Sequence, residues 1–530
     1  MPLLRSLTSI MVVIAILSFM IGCNSPAGSN KSGQAEGAGR RLGPDESAST
    51  DRWTTLRIEL FERNNKPAGA NSITDNYITQ YIQKNFGDPE RIKVEFITIP
   101  RAEEVGRLQV LMAANQAPDI VFTYDLPTVY NFFTQGKLTD LSSLLDQYGQ
   151  DLTSVLGEEI LSYGRINGTQ FTIPAKRVLT ARSTTLIRED WLKEAELPLP
   201  ATTEQFYQAL KAFKKIRLEK YGENIYPYGH IDYYHIAPLQ YSFWDWDRIT
   251  EEDLYADPGW VMPGNKDAFK FLNQLYHEGL IDPDFHLDRY AQQFQKDLVN
   301  GRVGAATPNT IEPVYMGYLA ELQKNDPNAI LTPIDPFTNA NGKKTKPILE
   351  KTGMYIMVPK TSRNAEAAIK YLNWMAQPEN YITLQNGIEG VTYKMENGLP
   401  VALENEDANT LLFNYFDYCI ILNGKYVSST DEQLNLKANA SIPSFEDFAL
   451  RSVEYGMNDG IATPRIPIIL PSEIKYSAIL NDKNDEIFVK VLTAKPEEFD
   501  AVYDEEVAEY MMMGGRQVQE EKHRAYQDHQ

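Results

Sequence analysis

The chain has little cysteine: Cys23 and Cys419 are the only two among 530 residues. Two thiols so far apart supply no disulfide framework and no C-x-x-C redox pair. Positive charge is also short, with 51 Lys and Arg against 72 Asp and Glu and a formal net charge of −21. Binders of DNA or RNA need clustered Lys and Arg. The paired basic runs here are only "GRR" at 39–41, "KR" at 176–177 and "KK" at 214–215 and 343–344, so no nucleic-acid partner is expected. A few local arginines can still hold an anion at contact distance. Histidine is sparse, six in all, and His230 and His235 in a Tyr-rich segment do not make a metal pair. There is no G-x-S-x-G elbow, no H-E-x-x-H, no P-loop and no G-x-G-x-x-G. Among so many carboxylates a pair at glycosidase spacing is easily imagined and proves nothing. No enzyme and no cofactor are expected.

Long apolar runs are missing as well. The run Ile10–Ile21, "IMVVIAILSFMI", has 12 residues, and a membrane-spanning helix needs ~20. A short apolar run after a basic residue, here Arg5, and before a small one, here Gly22, has the form of a signal peptide. Cys23 follows at once, and "SFMIGC" resembles a bacterial lipobox in which the cysteine thiol is lipidated. Met20 stands where leucine is more usual. The alternative is an ordinary secretory signal with a chance cysteine. The next stretch, 24–50, is rich in Gly, Ala and Ser with almost no large apolar residue, the composition of a flexible tether. Cys419, inside the apolar "YCIIL", reads as a buried core thiol.

What is present in quantity is aromatic: 30 Tyr, 22 Phe and 6 Trp. Most must be core, yet such residues also build sites for flat, hydroxyl-rich ligands. The body opens with alternating strands and helices. "TLRIELFE" (55–62), "RIKVEFITI" (91–99) and "DIVFTY" (119–124) read as strands around two helices with apolar residues at helical spacing. That order implies a parallel doubly wound sheet whose ligand mouth lies beyond the strands' carboxyl ends. Tyr124 and Asp125 stand at that mouth. In "LPATTEQFYQALKAFKKI", Thr202 and Thr203 precede a helix with Phe206, Tyr207, Leu210 and Phe213 on one face.

The order of further motifs resembles the extracellular solute-binding proteins of ABC importers, family 1, the large lipoprotein branch with oligosaccharide and alginate binders. The matching pieces are the lipobox at Cys23, "APDIVFTYD" (117–125), "GKLTDLSSLL" (136–145), "FTIPAK" (171–176) and "LIREDWLKEAELPLP" (186–200). They continue with "FLNQLYHEGLIDPDF" (271–285), "DLVNGRVGAAT" (297–307), "TPIDPFTNANGKK" (332–344) and "KYLNWMAQPENYITLQNGIEGVTYK" (370–394). The resemblance implies an α/β fold of periplasmic-binding-protein type II: two hinge-linked doubly wound lobes with the ligand in the cleft between them. The expected division is a signal peptide (1–22), a tether (23–51), the first lobe (52–178), the second lobe (179–349), a return to the first lobe (350–400) and completion of the second (401–530). The chain would cross near 174–182 and 347–357, placing Lys176, Arg177, Arg182 and Tyr355 at the cleft floor. Alginate-type relatives carry a calcium loop after the helix matching "QALKAFKKI". Here the stretch reads "RLEKYGENIYPYGHID" and lacks alternating oxygen ligands, so no metal is expected there.

Candidate ligand contacts follow from this reading. The aromatic segment 228–247 offers Tyr233, Tyr234, Tyr241, Trp244 and Trp246, with both tryptophans on one face if the stretch is extended; the alternative is core. Trp191 reads as packing. Asn309, with Arg302 and Pro308, comes from "NGRVGAATPNT", and Glu389 and Tyr393 come from the loop "QNGIEGVTY". Arg182 is the candidate for a ligand carboxylate, against the alternative of an ion pair with one of the acidic residues. The expected activity is capture of an oligosaccharide by a monomer anchored through lipid to the outer face of the cell membrane, and its delivery to the membrane permease subunits of an ABC importer. The alternatives are an anchored polysaccharide-processing enzyme and a sugar-sensing co-receptor.

Overall fold

The first strand, Thr54–Glu62, alternates at its start and then buries Ile58 through Phe61 without a break. That is the pattern of a strand covered on both faces. It pairs in parallel with Ile92–Pro100 over its full length and, through Ile58 and Ile120, with the strand leading to Val121–Thr123. The next helix is opened by a capping box, in which Asn76 and Thr79 exchange side-chain and backbone hydrogen bonds. The structure, a computed structural model, describes residues 53–63, 70–222, 224–229, 231–288, 291–403, 405, 417–466 and 468–529. Cys23, the signal peptide and the tether lie outside the described residues.

The first lobe's sheet has the spatial order Ile92–Pro100, Thr54–Glu62, Val121–Thr123, Thr352–Met357, Thr172–Arg177, Leu422–Asn423. Its first three strands are parallel, as the sequence implied. Thr352–Met357, arriving from the second lobe, runs antiparallel to both neighbours, Tyr355 facing Thr123 on one side and Pro174 on the other. Leu422–Asn423 then lies parallel to Lys176–Arg177. The return to this lobe therefore extends past the expected limit at 400. The apolar run Tyr418–Leu422 drives the extension, because it is buried in the same core as Leu56, Ile120 and Ile356. Cys419 is wholly buried there.

The second lobe's sheet has the order Leu331–Ile334, Thr185–Arg188, Val303–Ala306, Tyr226–Gly229. Its main helix, Thr203–Tyr221, is capped by the Thr202 hydroxyl and buries Phe206, Ala209, Leu210 and Phe213. It lies so close to the sheet that a Cβ on Gly304 would stand 2.6 Å from the Phe213 ring and 3.1 Å from Trp191, which only glycine avoids. Trp191 is core, with the Arg188 and Arg217 guanidinium groups 4.7 and 4.8 Å from its ring. C-terminal helices Pro471–Thr493, Phe499–Tyr510 and Arg516–Asp528 complete this lobe's hydrophobic core. The chain crosses between the sheets after Arg177, before Thr352 and after Asn423.

A candidate ligand cleft between the two lobes

Both sheets turn their carboxyl ends toward the crossing segments. In the first lobe, Phe61 and Glu62 end one strand and Arg63 follows it, Arg101 follows another, Tyr124 a third, and Arg177 closes a fourth. In the second, Tyr226–Gly229 and Val303–Ala306 are parallel and deliver Tyr233, Tyr234 and Asn309 to the same edge. Thr185–Arg188 is antiparallel to its neighbours and begins there, just after Arg182 and Ser183.

Tyr124 is the centre of the first wall. Its ring stacks on Phe61 at 6.4 Å, and the Arg101 guanidinium sits 4.9 Å from it. The Asn423 amide donates to its hydroxyl at 3.0 Å. Burial raises its pKa, and the positive charges of Arg63, Arg177 and Arg101 pull the other way. Asp125 faces elsewhere: its carboxylate accepts the Thr128 N–H at 2.9 Å and caps the helix Leu126–Thr134. At the floor, Arg177 donates to the Thr352 carbonyl and to Asn423 Oδ1, both at 3.2 Å. Lys176, one residue earlier on the strand, points to the opposite face and donates to the Val155 carbonyl. Tyr355 is buried and receives a hydrogen bond from Arg465, which also pairs with Glu350 at 3.3 Å.

The second wall is aromatic. Arg182 lies 3.7 Å over the Tyr234 ring and donates to the Tyr234 carbonyl at 3.0 Å. Its charge also reaches Tyr241, whose pKa is raised by burial and lowered by Arg182. Tyr241 in turn stacks on Trp244 at 4.3 Å and meets Trp246 at 5.2 Å. The segment is not extended. Ala237–Tyr241 is a short helix, and the turn after it sends Trp244 inward, 4 % exposed, with its indole N–H on Asn265. Trp246 stays half-buried, its N–H on the Tyr241 carbonyl. Tyr233 stacks on Trp260 at 5.0 Å inside the lobe. Asn309 bridges to Ser183 across the crossing and donates to Glu312 at 2.7 Å. Tyr315 is 53 % exposed and close enough to Arg63 of the first lobe for each to act on the other's ionisation.

Glu389 and Tyr393 form a separate turn, in which the Gly390 N–H donates to the Tyr393 carbonyl at 2.7 Å. Glu389 is exposed and Tyr393 buried near Tyr81, with no contact to Tyr124 or Arg177 among those described. The sequence reading passed over Arg63, Arg101, Asn423, Tyr315 and Arg465. Arg63 and Arg101 carried a legible signal, since each falls immediately past a strand's carboxyl end or the residue after it.

A cavity of about 860 Å³ lies outside this cleft. It runs along the Tyr226–Gly229 edge of the second sheet toward the helix Pro471–Thr493, and meets the cleft edge at Tyr233 and Tyr234. Its walls hold seven carboxylates, among them Asp282, Asp288 and Asp297, and no first-lobe residue. Size alone does not make it the ligand site. The cleft residues, fed by both lobes and lined with rings and guanidinium groups, fit a bound solute better.

Residues 76–392, more than half of the chain, match the family profile for bacterial extracellular solute-binding proteins. The chain belongs to that family. As a solute-binding protein it is similar over most of its length to two proteins of Bacillus subtilis (strain 168). Lipoprotein LipO is 24 % identical over 456 residues, covering 83 % of this chain and 86 % of LipO. The polygalacturonan/rhamnogalacturonan-binding protein YtcQ is 22 % identical over 540 residues, covering 98 % and 97 %. Its fold is shared with the calcium-free alginate-binding protein AlgQ2, at TM-score 0.68 and 19 % identity, over 90 % of this chain and 99 % of AlgQ2. It is shared also with the Streptococcus pneumoniae ABC-transporter substrate-binding protein FusA in complex with kestose, at TM-score 0.66, 15 % identity, 90 % and 99 %. The two-lobe α/β architecture is thus established.

Proposed function

We propose that this solute-binding protein captures an oligosaccharide between its lobes and delivers it to the permease of an ABC importer, acting as a single chain held at the outer face of the membrane by lipid on Cys23. The observation that carries the reading is that Arg177, on the strand that enters the crossing, lies within electrostatic reach of Tyr124 of the first lobe and of Tyr234 of the second, so that aromatic and guanidinium groups of both lobes come together there. Rings accept the apolar faces of sugars, and planar donors take their hydroxyls. Support also comes from what similar proteins are named for: polygalacturonan and rhamnogalacturonan in YtcQ, alginate in AlgQ2, kestose in FusA. Ligand touching both lobes favours the closed form by its differential affinity. Among the described residues no helix is long and apolar enough to cross a membrane, so attachment rests on Cys23.

The test is thermal unfolding of the purified protein against a panel of neutral and acidic oligosaccharides. A ligand at 100 times its Kd stabilises the folded form by ~2.7 kcal/mol. Recovery of the intact sugar identifies a receptor, and its consumption identifies an enzyme. Substitution Cys23→Ala, expected to release the protein from the membrane fraction, tests the anchor.

A further inference from the structure

The chain carries an excess of acid, yet five arginines gather at the cleft: Arg63, Arg101, Arg177, Arg182 and Arg465. Three are matched with carboxylates. Arg63 is held by Asp417 at 2.8 Å, Arg101 lies 3.2 Å from Glu104, and Arg465 is 3.3 Å from Glu350. Arg177 and Arg182 are not. Among the described residues Arg177 meets only neutral acceptors, the Thr352 carbonyl and Asn423 Oδ1. Among the described residues Arg182 makes contact only with the carbonyl and ring of Tyr234, its charge also reaching Tyr241, and its Nε is buried with no hydrogen-bond partner. Both act on one residue, since the Tyr234 phenol also lies within reach of the Arg177 charge.

A guanidinium withdrawn from water is ordinarily paired. Arg188, 1 % exposed in the second lobe's core, shows the usual solution, with Asp190 at 2.6 Å and Asp326 at 3.1 Å. With 72 acidic residues available, two unmatched arginines on either side of one crossing segment leave room for an anion from outside. Burial depresses the Arg177 pKa more than the Tyr124 and Tyr234 phenols and the more distant Glu350 charge, which makes no ion pair with it, can raise it.

We infer that the ligand is an acidic oligosaccharide, a uronate-containing one, whose carboxylate is taken by Arg177 and Arg182 beside the Tyr234 ring. The inference rests on the carbohydrate-receptor reading above and names the class of sugar. A planar carboxylate matches the guanidinium fork bidentately. The neighbouring cavity, with Asp232, Asp282 and Asp288 in its walls, repels the same charge and so confines it to the arginine side. A neutral sugar at this place would leave both cations unmatched in a closed cleft.

Calorimetric titration with matched pairs tests the inference. The probes are trimers of galacturonate, mannuronate and glucuronate, each beside its carboxyl-reduced neutral counterpart, with the wild-type protein and the variants Arg182→Gln, Arg177→Gln and Arg182→Lys. At least one uronate trimer binds, and its reduced counterpart binds at least about tenfold more weakly. Each Gln variant weakens the acidic ligand by about tenfold to a hundredfold, the worth of a charge-assisted hydrogen bond, and Arg182→Lys falls between. Thermal melts verify folding, and Arg182→Gln stands alone as the test should Arg177→Gln fail to fold. Equal affinity for acidic and reduced trimers, or uronate binding unmoved by both Gln variants, overturns the inference. Silence of every uronate while a neutral sugar of the wider panel binds overturns it too and leaves the receptor reading standing. Silence of all sugars removes that reading and the inference with it.

Discussion

Lys425 follows the strand Leu422–Asn423 by two residues, and its backbone is clamped on both sides by the Asn439 amide. Among the described residues its ammonium has no carboxylate or hydrogen-bond partner, and burial pushes its pKa from the ordinary 10.5 to about 8. At about 1.36 kcal/mol per pKa unit, discounted because the side chain is only half-buried and water still reaches it, the charged form costs the folded state ~1–2 kcal/mol at neutral pH. Replacing it with methionine, similar in length and apolar, is expected to stabilise the protein by ~1–2 kcal/mol at pH near 7. The sign follows from linkage. The folded pKa lies below the unfolded one, so the penalty is complete below about pH 8, shrinks as pH rises toward 10.5, and vanishes above it. Wild type should therefore gain on Lys425→Met across that interval. Urea unfolding followed by tryptophan fluorescence measures this, urea being uncharged and leaving the electrostatics intact. A Lys425→Met protein no more stable than wild type near pH 7, or a gain that is the same at pH 7 and pH 11, would refute the reasoning.

Three other outcomes are expected. His523 sits 2.8 Å from both Glu252 and Asp257; burial opposes its charge, but the two carboxylates outweigh that and raise its pKa above the ordinary 6.5. The clasp is then complete below about pH 6.5 and is lost as pH rises through the elevated folded value. Amide protection in the helix Arg516–Asp528, taken relative to the intrinsic exchange rate at each pH, should fall over that range, and His523→Gln should remove that fall. Lys483, 1 % exposed, is gripped by Glu506 at 2.8 Å, Glu509 at 2.6 Å and Glu486 at 3.1 Å. Lys483→Met leaves the buried Glu506 to Lys490 alone, 2.7 Å away, and should cost ~1–3 kcal/mol in urea unfolding, part of it restored by adding Glu506→Gln. Trp244→Ala should cost ~3–5 kcal/mol of stability, because the ring is buried on Tyr241 and hydrogen-bonded to Asn265. A variant of wild-type stability would show that the ring is not core.

The sequence by itself determined the class of the molecule. Parallel strands advertise themselves by short apolar runs such as Ile58–Phe61 and Val121–Thr123, and helices by spacing such as Phe206, Leu210 and Phe213, because burial on a periodic backbone leaves a periodic record. It also pointed to the sheet edge that the crossing segments meet, where the proposed ligand cleft lies, since the carboxyl ends of parallel strands follow from strand order alone. Cys419 in an apolar run and Trp191 beside a capped helix could be placed in the core for the same reason. What the tertiary structure alone decided is which polar and aromatic side chains face the cleft. Asp125 spends its carboxylate on a helix cap, Trp244 turns inward after a short helix, and Lys176 and Arg177 part company through the alternation of one strand. Arg465 reaches Tyr355 from a distance of 110 residues along the chain. The return through Leu422–Asn423 was likewise invisible, as two residues of pairing leave no pattern to detect. Whether an arginine is matched depends on the distance between segments remote in sequence. Composition counts 72 acids, and only the folded chain decides that, among the described residues, none of them forms an ion pair with Arg177 or Arg182, since a counterion is a partner in space and leaves no mark on the order of residues.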